Sequence, residues 1–187
     1  MGEKLVPTYS EPPSNARKPT DSETLLGQVM TPGWLADCMI EHLSELTREV
    51  DDLEVLDPCI GEAAFQIAAE RKRFIAKFHC FDIDPKMIST SEQSLSSCHH
   101  ISAEFHVANY LSTDLSSQNY NAAISNPPYV RHEWIENRRD YTELFSRKYG
   151  LDIPGTSNLY VYFIVIMIEE LSVGGKYCFL VYDSWMN

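Results

Sequence analysis

With 187 residues, 44% of them hydrophobic and 22% charged, the chain falls among ordinary globular proteins and outside the collagen-like, coiled-coil and wholly disordered classes. One core with a short appendage is expected at this length. Fifteen Lys and Arg against 27 Asp and Glu give a formal charge of -12, so the surface as a whole repels phosphates. Any nucleic-acid contact must therefore be local or shared with a partner.

Residues 1–24 carry Pro7, Pro12, Pro13 and Pro19 among polar residues without periodicity, and read as an extended or disordered arm. A helix is expected over 31–46, with Thr31 as N-cap, Pro32 at the first helical position, and Leu35, Met39, Ile40 and Leu43 at helical spacing. A strand over 53–56, a turn over 57–61 and a helix over 63–77 form the next unit. Strands over 78–83, 104–107 and 121–125 follow, with a helix over 86–97 after the first of them. A helix over 158–171, a break at Gly174-Gly175 and a strand over 177–182 complete the pattern. Alternation of this kind predicts an α/β fold, a mainly parallel sheet with helices on both faces, whose ligands bind at the carboxyl ends of the strands. The segment 130–156 is too long and polar for a plain connection.

Five scattered cysteines, Cys38, Cys59, Cys80, Cys98 and Cys178, are odd in number and never in a C-x-x-C pair. That argues against a disulfide framework and a zinc site, and fits a reducing cytoplasm. The longest apolar stretch, 159–168, is too short to span a bilayer, and no signal-peptide run follows Met1. A cytoplasmic protein without membrane contact is expected.

The chemistry gathers at strand ends. Asp57, Pro58 and Gly61 stand where a ligand can meet backbone amides and a helix N-terminus, and the Asp57 carboxylate could accept from a bound amine. Asp82 ends the second strand, where nucleotide-binding α/β folds place an acid on ribose hydroxyls. No G-x-G-x-x-G and no G-K-S/T is present, so neither a dinucleotide nor a nucleoside triphosphate finds its usual cradle. The fourth strand runs directly into Asn126-Pro127-Pro128-Tyr129. Two prolines lock this backbone and remove donors, leaving the Asn126 oxygen and the Pro127 carbonyl as convergent acceptors. Such a pair suits the two hydrogens of an exocyclic amine, with Tyr129 stacked on the ring.

In these segments the sequence resembles the S-adenosylmethionine-dependent adenine-N6 methyltransferases of DNA, in the gamma motif order of restriction-modification systems. The matching segments are Gly27-Gln28-Val29-Met30-Thr31-Pro32, Asp57-Pro58-Cys59-Ile60-Gly61, Phe81-Asp82-Ile83-Asp84-Pro85, Ala108-Asn109-Tyr110-Leu111, Ser125-Asn126-Pro127-Pro128-Tyr129-Val130 and Gly155-Thr156-Ser157-Asn158-Leu159-Tyr160. The resemblance implies a Rossmann-like methyltransferase core over 25–187 with S-adenosylmethionine as cofactor. Thr31, beside Pro32, would hold the methionine carboxylate. Asp57, Pro58 and Gly61 would pass the amino acid moiety, with Asp57 near its amine. Asp82 would take the ribose hydroxyls, Ile83 would cover the cofactor's adenine, and Asn109, followed by Tyr110, would bond that adenine's amine. Asn126, Pro127, Pro128 and Tyr129 would hold the flipped target adenine, with Asn126 also bordering the cofactor.

Three departures from the family pattern stand out. Ala63 replaces a second glycine two positions after Gly61, and Asn109 stands where Asp is usual. Members also continue past the strand near Tyr182 into further strands and a target-recognition region. The expectation is thus a core truncated after its fifth strand, with DNA read through a protein partner or the missing region.

Other groupings carry blander readings. Glu70-Arg71-Lys72 matches half a nuclease motif but lies on a helix, and Cys98-His99-His100 cannot face one ion in regular structure, so no metal is expected. Arg131, Arg138, Arg139, Arg147 and Lys148, interleaved with His132, Trp134, Tyr141 and Phe145, suit DNA backbone contact and stacking on a displaced base. A solvated helical hairpin neutralised by Glu133, Glu136, Asp140 and Glu143 explains them equally well. The leading expectation is a DNA adenine-N6 methyltransferase. Its rivals are a protein-glutamine methyltransferase and a catalytically silent cofactor-binding or assembly subunit.

Overall fold

Successive residues of a strand face opposite sides of its sheet, and here that alternation sorts the apolar residues into two cores. Val55, Cys80 and Ile124 join one cluster with Ile40, Ala68 and Ile88. Their chain neighbours Leu56, Phe81 and Ala123 join the other, with Phe145, Tyr162 and Ile166. The computed structural model describes residues 29–113, 120–135 and 137–181. The expected arm over 1–24 and the last residue of the expected fifth strand, 182, lie outside them.

Five parallel strands, β1 (Glu54–Asp57), β2 (Ala76–Asp82), β3 (Ile101–Val107), β4 (Tyr120–Ser125) and β5 (Leu171–Phe179), lie in the order β3-β2-β1-β4-β5. Helices α1 (Gly33–Thr47), α2 (Ala64–Lys72) and α3 (Pro85–Leu95) cover one face, and α4 (Arg138–Tyr149) and α5 (Leu159–Glu169) pack on the other. The chain steps outward from β1 to β3, then returns to the far side of β1 as β4. This reversal is the topological switch point at which open α/β sheets bind ligands. Asp57 and Ser125 end the two strands that flank it.

Several boundaries differ from the sequence reading. Helix α1 begins at Gly33, because Pro32 is extended (φ -59°, ψ 139°) and only its carbonyl joins the helix, accepting from the amides of Leu35 and Ala36. Helix α2 stops at Lys72 rather than 77, where Arg73 turns left-handed at φ 55° and the chain enters β2 at Ala76. Strand β3 starts three residues earlier than expected, at Ile101. The long segment 130–156 holds α4, whose Tyr141 and Phe145 are fully buried. Those two rings belong to the core and are not free to stack on a base.

Strand β5 runs through Gly174-Gly175 instead of starting after it. A step of two residues on β4, Tyr120 to Ala122, matches a step from Leu171 to Lys176 on β5. The bulge throws Val173 fully into solvent. Gly174 adopts φ +83°, and a Cβ on Gly175 would lie 2.9 Å from the Ser172 carbonyl oxygen, so this bulge needs its glycines.

The second face is not covered to its edge. Ser102, Glu104 and His106 of β3 are exposed on the side opposite α3, so β3 is amphipathic rather than buried on both faces. Among the described residues no helix is long and apolar enough to cross a membrane.

Candidate active site

The carboxyl ends of β1, β2 and β4 surround a cleft open to solvent on one side. Pro58, Gly61, Asp82, Ile83, Asn109, Tyr110, Asn126 and Pro128 all line it. Eight of the expected site residues, drawn from four separate segments, therefore meet in one place.

The loop after β1 is shaped by two acids. Asp82 Oδ2 accepts from the Gly61 amide at 3.0 Å, and Oδ1 accepts from the Asp84 amide at 2.9 Å. Burial pushes the Asp82 carboxyl up from the ordinary range, against the pull of these backbone donors. Gly61 sits at φ +53° and Ser91 donates to its carbonyl at 2.8 Å, tying the loop to α3. Ala63 follows at φ 60°, ψ 33°, a left-handed conformation that disfavours any residue with a Cβ. This is the position at which a second glycine is missing.

Asp57 does not reach the cleft. It is fully buried under the loop, where Oδ2 accepts from Gln66 Nε2 at 2.8 Å and Oδ1 from the Cys59 amide at 3.2 Å. Desolvation pushes its carboxyl up to about 7, with Gln66 and Cys59 acting in the opposite direction. Asp57 therefore holds the loop from beneath, and the structure does not bring it to the cleft wall with the other expected residues. Cys59 does line the cleft, but burial raises its thiol well above the ordinary value, which makes it a poor nucleophile.

At the end of β4, Asn126 Nδ2 donates to the Val29 carbonyl at 2.6 Å and to Thr31 Oγ1 at 3.0 Å. A carbonyl can only accept, so the amide orientation follows from chemistry. Asn126 Oδ1 is left buried and, among the described residues, without a hydrogen-bond partner. Thr31 acts here through Asn126 and, like Pro32 and Pro127, does not line the cleft. Tyr129 lies off the cleft wall, its hydroxyl donating to the Leu180 carbonyl at 2.7 Å and its ring 6.1 Å from that of Tyr160.

Asn109 Oδ1 accepts from the Leu111 amide at 3.2 Å and Nδ2 donates to Tyr141 Oη at 3.2 Å. Met30, Met87, Leu159 and Phe163 form much of the apolar wall; Met30 and Leu159 lie in segments matched from the sequence, but none of the four carries a role there. Leu159 and Phe163 share one face of a largely apolar helix and read as core; Met87 follows Asp84-Pro85 by half a turn.

Residues 45–187 match the Eco57I restriction-modification methylase family. The chain belongs to that family. It is 21% identical over 133 residues to the type II methyltransferase M.AccI of Acinetobacter calcoaceticus, covering 71% of this chain and 24% of that protein. This family member therefore spans about a quarter of the length of that relative. It also resembles the methyltransferase subunit of a type I restriction-modification system from Streptococcus thermophilus, with TM-score 0.66 and 15% identity, covering 84% of this chain and 35% of that one. An S-adenosylmethionine-dependent methyltransferase from Clostridium acetobutylicum superposes with TM-score 0.50 and 14% identity, over 84% of this chain and 52% of that one. These likenesses establish the Rossmann-like methyltransferase fold.

Other polar groups of this Eco57I-family core pair with one another away from the cleft. Glu70 accepts from the His99 and His100 amides and from His100 Nδ1, which holds its carboxyl down at about 2, while Arg71 and Lys72 pair with Asp37 and Glu41 of α1. No nuclease-like arrangement results. On the open sheet face His79, Glu104 and His106 bring ligand atoms within 4.8 Å of one another. Glu104 is ion-paired with Lys77 at 2.9 Å, and His79 bonds Glu54, so the group closes on itself. The five cysteines are all free.

Proposed function

We propose that this chain is the catalytic core of an S-adenosylmethionine-dependent DNA methyltransferase that modifies the N6 amine of adenine, acting in the cytoplasm as part of a restriction-modification system. The observation that carries this reading is the buried, unpartnered oxygen of Asn126 at the wall of the cleft. An unpaired buried acceptor costs about 1–3 kcal/mol, and at the wall of a cleft a ligand donor or an ordered water can complete it.

The residues present fit the cofactor. Asp82 offers a carboxylate at the ribose position, Ile83 and Met87 offer apolar surface for a purine, and Asn109 offers an amide for its edge. Bound S-adenosylmethionine supplies an electrophilic methyl group carried on a sulfonium. Asn126 Oδ1 and the Pro127 carbonyl accept the two hydrogens of the target amine and orient its nitrogen. Both acceptors favour the pyramidal nitrogen, whose lone pair is no longer conjugated with the ring, so they stabilise the transition state more than the ground state. Val29 and Thr31 keep the Asn126 amide from rotating while this happens.

Flipping the adenine out of the duplex costs a few kcal/mol, and stacking on Tyr129 would offset part of it. DNA recognition belongs in this reading to a protein partner or to further length of the protein, in keeping with a net charge of -12 and with the kinship to a type I methyltransferase subunit. The test is transfer from labelled cofactor to duplex DNA and, separately, to glutamine-bearing proteins. Label recovered as N6-methyladenine, and lost in Asn126→Ala, is the expected result. Label in protein alone would favour the glutamine methyltransferase, and cofactor binding without transfer to either would favour a silent subunit.

A further inference from the structure

Residues two apart on a strand share a face, and a residue in register on the next strand lies beside one of them. Glu104 and His106 of β3 stand in that relation, with His79 of β2 in register with Glu104 and Phe81 with His106. One ligand atom from each of His79, Glu104 and His106 lies within 4.8 Å of the others. Spacing along the chain does not show this grouping, because its members come from two strands. Each ligand is already oriented. His79 is buried, and its Nε2 donates to the Glu54 carboxylate, which in the neutral ring leaves the lone pair of Nδ1 toward Glu104 Oε2 at 3.3 Å. Lys77 takes the other oxygen of Glu104 at 2.9 Å and holds its carboxyl below the ordinary range, so the group is a carboxylate. The His106 ring stacks on Phe81, with centroids 4.6 Å apart.

We propose that His79, Glu104 and His106 bind a divalent transition-metal ion of the zinc type on the open face of the sheet. A nitrogen lone pair and a carboxylate oxygen that face each other repel, and a cation between them turns that repulsion into two bonds. Two imidazoles and a carboxylate are a ligand set that zinc accepts, with its fourth position left to water. Glu54 takes the outer role found in such sites, a carboxylate that receives the second ring N–H of a metal-bound histidine and fixes its tautomer. Charge agrees, since Glu54 and Glu104 outweigh Lys77 and leave the cluster net negative. Beside it stands Tyr120, fully buried, its ring 5.1 Å from that of His79 and its hydroxyl without a hydrogen-bond partner among the described residues. Water carried by the ion would supply one. None of the three ligands lines the cleft, so the proposal does not depend on the methyltransferase reading. Such an ion would staple the edge strand β3 to β2 a few residues before Asp82 and Asn109 join the cleft wall.

The test is titration of the full chain with Zn²⁺, followed by calorimetry, and with Co²⁺, followed by its visible absorption. One ion per chain is expected, with a Co²⁺ spectrum of nitrogen and oxygen ligands and no thiolate charge-transfer band, although five free cysteines are present. His106 and Glu104 are exposed, so His106→Ala and Glu104→Gln should fold as the wild type does and lose the binding event. Glu54→Ala should weaken it about 10–100-fold by releasing the His79 ring. Zn²⁺ should raise the melting temperature of the wild type and not that of His106→Ala. His99→Ala removes a histidine outside the cluster, beside Cys98 and His100, and should change nothing. No binding by the folded wild type, binding that survives both His106→Ala and Glu104→Gln, or a spectrum dominated by thiolate would each overturn the proposal. His79 would then be an imidazolium held between Glu54 and Glu104.

Discussion

Gly61 and Asp82 join the first two strand ends through one hydrogen bond, the Gly61 amide donating to Asp82 Oδ2 at 3.0 Å. The same carboxylate lines the cleft, so a single side chain both shapes the loop and faces the ligand. Asp82→Ala should weaken S-adenosylmethionine binding by about 1–3 kcal/mol through the loss of hydrogen bonds to a charged acceptor, and Asp82→Asn by less. Isothermal titration measures both. Ribose hydroxyls donating to Asp82 favour its charged form, whereas burial raises its carboxyl in the free protein. Binding should therefore release protons and tighten as pH rises through the range in which free Asp82 titrates. Titrations in two buffers of different ionisation enthalpy count those protons.

Asn126 separates binding from chemistry. Its Nδ2 is held by Val29 and Thr31, and its free oxygen faces the accepted amine rather than the cofactor in the proposed reading. Asn126→Ala should abolish methyl transfer and leave cofactor affinity within a few fold. Asn126→Asp should be as inactive, because a carboxylate would set an acceptor 2.6 Å from the Val29 carbonyl and swing away. Single-turnover transfer alongside cofactor titration checks both variants, and an equally large fall in affinity would contradict the division of labour.

The parallel α/β fold and its strand-end site were legible because they depend on local pattern. Short runs such as 53–56 and 121–125, punctuated by Asp57-Pro58 and Asn126-Pro127, read as strands leading into loops. Pairings across the chain were not legible. Asp57 reads as a ligand contact from its place at a strand end, and only the approach of Gln66 from α2 shows it to be buried and fully engaged. Thr31 reads as a helix cap, but its hydroxyl is taken by Asn126, 95 residues away. Tyr141 and Phe145 look like an aromatic complement to neighbouring arginines until α4 docks and turns both rings inward. Gly174-Gly175 signals a break in the local pattern, whereas in the sheet the same pair shapes a bulge inside a continuous strand.

Asp57 should make stability depend on pH. Its carboxyl titrates near 7 in the folded chain against 3.8 when exposed, so the folded state holds the proton more tightly. The stability this provides is fully present below about pH 4 and is lost as pH rises through about 7, on the order of 4 kcal/mol in all. Asp57→Asn keeps the acceptor for the Cys59 amide, and its new donor can meet Gln66 Oε1, which lacks a partner in the wild type, once the Gln66 amide rotates. The difference in unfolding free energy between wild type and Asp57→Asn, followed by urea denaturation from pH 4 to 8, should move in favour of the variant as pH rises. A difference independent of pH would show that Asp57 is already ionised in the folded chain.

Ala63 offers a sharper test, because its backbone and its methyl group act in opposite directions. At φ 60° an alanine is strained by about 1–2 kcal/mol relative to glycine. Replacement by glycine relieves that strain, but adds about 0.5–1 kcal/mol of chain entropy lost on folding. It also removes a fully buried methyl group, worth about 0.8 kcal/mol. The terms nearly cancel, so Ala63→Gly should leave the melting temperature within about 2 °C of the wild type. Ala68 is equally buried but lies inside α2, where no left-handed strain is present to relieve. Ala68→Gly therefore loses the methyl group and the entropy without compensation, about 1.5 kcal/mol, and should melt about 3–6 °C lower. Calorimetric melts of the two variants side by side measure the strain at position 63 directly, and equal losses would mean that the loop before α2 carries none.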